Sequence, residues 1–170
     1  MSNREEGTGE PLVWLGGAWS PTHTILAKRH HVIAGAAPDL AHFDLVGEGA
    51  AAADALRLAL ERPQAVRSLV LVAPTILARD GSAADAALAA RMGEQKLPCL
   101  VVFATADAAS PVEAARHYKT RMPGCNLVYV YDAGSRMTDE RPEAVASLIA
   151  DFLERHDLFL VRRESDVIYP

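Results

Sequence analysis

Apolar residues along this chain fall into two alternating rhythms. Short unbroken runs come first: Leu12-Val13-Trp14-Leu15 closing on Gly16-Gly17, His31-Val32-Ile33-Ala34, and Phe43-Asp44-Leu45-Val46. Ser68 to Val72, Leu100 to Phe103 and Leu127 to Tyr131 continue the series. Runs without polar alternation suit strands covered on both faces, which means a parallel sheet between helical layers. Helical stretches lie between them. Ala50 to Leu60 is rich in Ala and Leu and stops before Pro63, because proline restricts the residue before it. Ser82 is placed to cap a helix running to about Gly93, with Asp85 in its first turn. Pro111, behind the candidate cap Ser110, opens a helix to about Arg121 that Pro123-Gly124 ends. Pro142 opens a helix over Glu143 to His156, where Val145, Leu148, Ile149, Phe152 and Leu153 form an apolar stripe. The alternation predicts the α/β class: a three-layer sandwich around a mostly parallel, doubly wound sheet of about six strands.

A chain of 170 residues fits one domain, expected here over residues 11–156. Met1 to Glu10 is polar and Gly-rich without an apolar core, so it reads as a flexible tail and not as a signal peptide. Residues 157–170 form an extension. Leu158-Phe159-Leu160-Val161 is apolar, Arg162 to Asp166 is charged, and Val167-Ile168-Tyr169-Pro170 is apolar again. Such a segment either packs back on its own domain or docks in trans. In the second case Leu158, Phe159, Val161, Ile168 and Tyr169 would carry a homo-oligomer or a partner-protein contact.

Charge narrows the field further. The net charge is −5 and no basic stripe exists to neutralise phosphates, which argues against nucleic acid. No apolar run approaches the roughly 20 residues that cross a bilayer, so no membrane association is expected. Cys99 and Cys125 sit in or beside apolar runs and read as buried, reduced thiols, which makes the cytoplasm the expected compartment. The histidines suggest no metal. His30 and His31 would point to opposite faces of a strand, and His42, His117 and His156 lack partners at ligand spacing. No cofactor is implied either: Gly47-x-Gly49 lacks the further glycine or lysine of a phosphate loop.

Two blocks carry a resemblance. One runs from Phe43-Asp44-Leu45-Val46-Gly47-Glu48-Gly49-Ala50-Ala51 through a helix to Ser68-Leu69-Val70-Leu71-Val72-Ala73-Pro74. The other runs from Leu97-Pro98 through Val101 to Asp107 and Ser110-Pro111, then Asp132-Ala133-Gly134-Ser135 and Glu140-Arg141-Pro142-Glu143. In order and spacing these resemble the α/β-hydrolase superfamily from Leu12 to about His156, with Leu12 to Gly17 similar to the strand before its oxyanion loop. The resemblance implies a strand, a G-x-S-x-G nucleophile elbow, a strand delivering the acid, and a Gly-His pair before the last helix.

Residue by residue, the implied triad is degenerate. The nucleophile position holds Gly49, which takes a positive φ without strain but offers no hydroxyl. The histidine position holds Ser135, whose hydroxyl cannot serve as a base near neutrality. Asp107 stands where the acid belongs, with no imidazole to orient. The chain is also short: residues 75–99 are too few for a substrate-covering cap, and the leading strands of the family have no evident counterpart. The expectation is therefore a protein that has lost hydrolysis and acts as a binding, regulatory or structural partner. Its residual pocket would involve Gly16, Gly17, Trp19, Ser20, Glu48, Gly49, Ala50 and Asp107. The alternative is a small ester-type hydrolase using relocated residues around Asp107, Glu48, Ser20 and His23. There Ser20 would be the nucleophile and His23 its base, whereas the plainer role of Ser20 is to cap a helix. Glu48 likewise is either a partner for Asp107 in acid–base chemistry or a solvated turn residue.

Overall fold

The structure, a computed structural model, describes residues 4–158. Its strands are β1 (Arg4–Glu6), β2 (Pro11–Leu15), β3 (His31–Ala34), β4 (Phe43–Glu48), β5 (Val66–Val72), β6 (Cys99–Ala104) and β7 (Asn126–Val130). Its helices are α1 (Pro21–Leu26), α2 (Ala52–Glu61), α3 (Ala86–Arg91), α4 (Ala115–Arg121), α5 (Met137–Glu140) and α6 (Pro142–Arg155). The strands form one sheet in the order β1-β3-β2-β4-β5-β6-β7. β1 runs antiparallel to β3, and every other pairing is parallel.

Each central strand is apolar at successive positions because both faces are covered. Val13, Leu45, Leu69, Leu71, Val101 and Phe103 point to the side of α2, α3 and α4. Leu12, Trp14, Val46, Val70 and Val102 point to the side of α1 and α6. The period-two alternation of a strand then buries every residue rather than every second one. Full burial of a side chain such as Leu71 stabilises by about 1.5–3 kcal/mol. From β2 the chain steps outward to β3, then crosses back to place β4 on the other flank of β2. That reversal is a topological switch point, and the carboxyl ends of β2 and β4 flank its crevice.

Seven strands replace the expected six. The extra one comes from Arg4–Glu6, a segment expected to belong to a flexible tail, so one leading strand does have a counterpart. β1 covers the edge of β3 that would otherwise be left unpaired, and His31 and Glu5 approach to 3.2 Å across that pairing. Two capping expectations also change. Ser82 bonds Asp80 in a turn, and Asp85 instead caps α3 by accepting from the Leu88 amide at 2.9 Å. Ser110 donates to the Pro74 carbonyl at 2.8 Å rather than capping, and a 3-10 turn (Val112–Ala114) precedes α4. In both places a nearby carbonyl or carboxylate outcompetes the local cap. Residues 75–98 contain only α3 and a following 3-10 turn, too little for a cap over the sheet.

At the opposite, amino edge of the sheet a polar knot joins three elements. Asp44, almost fully buried, accepts from Ser68 Oγ at 2.7 Å and from Arg67 Nη2 at 2.7 Å. Arg67 also pairs with Glu10, and His156 Nε2 approaches Asp44 to 3.9 Å from the end of α6. Cys99 and Cys125 are free, and burial pushes both thiols up. Of the expected docking residues, Leu158 is exposed, whereas Phe159, Val161, Ile168 and Tyr169 lie outside the described residues.

Candidate functional site

The carboxyl end of β4 builds a tight turn from small residues. Gly49 has φ +59° and opens a 3-10 turn (Gly49–Ala51) that leads into α2. A Cβ on Gly47 would lie 2.5 Å from Ala55 Cβ and 2.8 Å from Ala52 Cα, so only glycine lets β4 and α2 close together. A Cβ on Gly16 would meet Ala51 Cβ at 2.7 Å. Position 49 is the opposite case. A Cβ there would meet nothing within 4 Å, so the residue presented by this turn faces open space. The turn is left-handed at Gly49, and the group it presents is a hydrogen.

Glu48, one residue earlier, turns inward. Its Oε2 accepts from Trp14 Nε1 at 2.9 Å and its Oε1 from Thr138 Oγ1 at 3.1 Å. Burial pushes the carboxyl above the ordinary range; the two hydrogen bonds oppose that shift, and the Asp139 charge adds to it. The expectation of a solvated turn residue is thereby corrected. The loop after β2 makes room for it: Gly16 (φ +86°) and Gly17 (φ +66°) both adopt the left-handed region, and a Cβ at Gly17 would overlap the Glu48 carboxylate.

Ser20 and His23 do come together. Ser20 Oγ lies 2.9 Å from His23 Nδ1, and the same nitrogen accepts the Ser20 backbone N–H at 3.1 Å. Both residues are buried at the start of α1, with His23 between the rings of Trp14 (4.2 Å) and Trp19 (5.0 Å). Burial first, and then the Arg4 charge, lower the His23 pKa to about 4, so the ring is neutral at pH 7. A hydroxyl sealed from solvent against an imidazole already accepting an amide proton holds a helix terminus.

The remaining positions converge on the same edge. Asp107, buried, uses Oδ1 to accept the Ala109 amide at 2.9 Å, and no histidine among the described residues is hydrogen-bonded to it. The Ala106 amide bonds the Ala133 carbonyl at 2.9 Å, which joins the Asp107 loop to the Gly134-Ser135 loop. Gly134 donates its amide to Glu140 Oε2 at 2.6 Å, and Ser135 is exposed. The Thr75 amide reaches the Gly49 carbonyl at 3.3 Å, and Tyr118 and Ser110 hold the Pro74 carbonyl beside it. Glu48 and Asp107 have separate hydrogen-bond partners. Among the described residues no cluster of three His, Cys, Asp or Glu side chains is placed to hold a metal.

A seven-stranded sheet with one antiparallel edge and otherwise parallel pairing is an arrangement other proteins share. The architecture superposes on an α/β hydrolase from the metagenome of sediments from the lagoon of Mar Chica, Morocco, with TM-score 0.77 and 19% identity over 90% of this chain and 94% of that one. The chain has the α/β-hydrolase fold. A similar match is the enol-lactonase from Burkholderia xenovorans LB400, with TM-score 0.75 and 16% identity over 90% and 96% of the two chains. Another is a serine hydrolase involved in carbazole degradation, with TM-score 0.72 and 19% identity over 89% and 93%. Residues 80–158 match the family model described as TAP-like protein. No curated protein matches the chain in sequence.

Within this α/β-hydrolase fold, two contributors to the edge escaped the sequence reading. Trp14 looked like plain core, although a buried indole N–H demands an acceptor and so signals one. Thr138 lies on α5, a four-residue helix too short to show periodicity. Two open grooves lie elsewhere. One, about 490 Å³, runs between α4 and β7; the other, about 520 Å³, lies around Asp39 to His42 and Arg62. Neither groove is lined by Glu48, Gly49 or Asp107.

Proposed function

We propose that this chain is a non-hydrolytic α/β-hydrolase-fold protein acting as a binding, regulatory or structural partner. The observation that carries this reading is the turn at Gly49: the left-handed backbone is present, the space in front of it is open, and no nucleophilic atom occupies it. The surroundings agree. Ser135 offers an alcohol where an imidazole would be needed, and Asp107 spends its carboxylate on its own loop.

The test is an assay of the purified protein with short-chain p-nitrophenyl esters, together with a fluorophosphonate probe for activated serines. Neither turnover above buffer nor covalent labelling is expected. Turnover that disappears in Ser20→Ala or Asp107→Asn would replace this reading with the relocated-residue hydrolase. The 2.9 Å approach of Ser20 to His23 is the observation on that side, and the burial of both residues opposes it.

A further inference from the structure

Cys99 opens β6, and Cys125 immediately precedes β7. The register pairs Leu100 with Asn126, so one step earlier Cys99 stands opposite Cys125. Directly opposed residues of parallel strands share a face. Here it is the face packed by α4 and the 3-10 turn Met92–Glu94, where both cysteines are buried with Met92 and Met122. The two sulfurs are close enough that a charge on Cys125 disfavours ionisation of Cys99. Neighbouring strands run about 4.8 Å apart, inside the roughly 4.4–6.8 Å Cα separation that a disulfide bridges.

The pair sits one layer beneath solvent at the amino end of both strands. Gly124 is exposed, and Pro98 and Asn126 are half-buried. Lys119 fastens this end by donating from Nζ to the Cys125 carbonyl at 2.6 Å, and its charge favours the thiolate at both cysteines. In the closed fold burial outweighs that charge and holds both groups as thiols. β7 is the last strand of the sheet and has only β6 as a strand neighbour. Opening its amino end therefore breaks a single ladder and brings Cys125 to solvent.

We propose that Cys99 and Cys125 are a disulfide-forming pair, a redox modification site that locks the edge strand β7 to β6. When the end of β7 opens, the Cys125 thiolate attacks a small disulfide such as glutathione disulfide. A mixed disulfide forms, and one glutathione leaves with the proton that Cys125 lost. The Cys99 thiolate then attacks the Cys125 sulfur and expels the second glutathione. The protein gives up two protons and two electrons, and glutathione disulfide takes them up as two thiols. The closed ring spans residues 99–125, which include Asp107 and α4. This inference does not depend on whether the turn at Gly49 is catalytic.

The test refolds the whole chain from urea in a glutathione redox buffer, so that burial does not shield the thiols from exchange, and reads the product by mass spectrometry after acid quenching. An intramolecular disulfide is expected, with a mass lower by two hydrogens and a tryptic fragment joining residues 97–116 to 122–136. The oxidised protein should melt about 10 °C above the reduced one, and dithiothreitol should reverse the shift. Cys99→Ala and Cys125→Ala should each melt at the same temperature with and without dithiothreitol, a comparison within one variant that cancels any loss of packing. Free thiols, a stable glutathione adduct, a bond between two chains, or a disulfide that leaves the melting temperature unchanged or lower would each overturn the assignment.

Discussion

The indole of Trp14 donates its N–H to the Glu48 carboxylate at 2.9 Å across the paired strands β2 and β4. This bond ties the strand that ends in Gly16-Gly17 to the residue just before the turn at Gly49. A second bond from Thr138 fastens α5 to the same carboxylate. Three elements distant in sequence therefore meet on one half-buried acid at the switch point.

That acid carries a signed pH dependence. Burial raises the Glu48 pKa above its unfolded value, so its contribution to stability is full below the unfolded pKa and falls as pH rises through the folded one. Glu48→Gln should raise the melting temperature relative to wild type at pH 8 and change it little near pH 4. A variant less stable than wild type at pH 8 but not near pH 4 would show that the ionised carboxylate is the favoured form.

The elbow glycines should respond in opposite ways. Gly49→Ser meets no neighbour and carries only the left-handed backbone penalty of about 1–2 kcal/mol. Gly47→Ser drives its Cβ into Ala55 and the α2 backbone, and should cost more, about 3 kcal/mol or above. Urea denaturation of the two variants measures the contrast. Gly49→Ser combined with Ser135→His places a hydroxyl and an imidazole on the edge that holds Asp107, and labelling by a fluorophosphonate probe would register any activation.

His23 should govern acid sensitivity. Its pKa falls from 6.5 in the unfolded chain to about 4 in the fold, so the stability it confers is complete above pH 6.5. Between those values it is lost at about 1.4 kcal/mol per pH unit for this one group. Urea midpoints measured from pH 7 to pH 4.5 should fall with that slope, and His23→Phe should flatten it.

Asp44→Ala should be the most damaging single change at the amino edge. It strands the buried Ser68 hydroxyl and removes one of the two carboxylates on Arg67, an expected loss of about 2–4 kcal/mol. Asp44→Asn, which keeps an acceptor for Ser68, should lose less. Equal losses in the two variants would mean that charge, and not the hydrogen bond, sets the cost.

The hydrolase-like layout was legible because each local signal is redundant with its neighbours. Unbroken apolar runs such as Leu69 to Val72 demand cover on both faces, and Gly47 with Ala51 marks a close strand–helix turn. Ser82 and Ser110 misled for the converse reason: capping is a short-range preference, and Asp85 and the Pro74 carbonyl were better partners nearby. β1 was missed because an edge strand of three charged residues has no apolar pattern to read.

By itself the sequence determined the fold class, the place of the turn, and the chemical identity of what that turn presents, since a glycine carries no hydroxyl in any conformation. Only the tertiary structure decided that Glu48 lies inward under Trp14 and Thr138, that Ser20 and His23 are sealed together, and that Asp107 bonds its own loop. The reason is physical. Periodicity reports which positions leave water, whereas the partner of a buried polar group is chosen by whichever donor or acceptor the packed chain brings within about 3 Å.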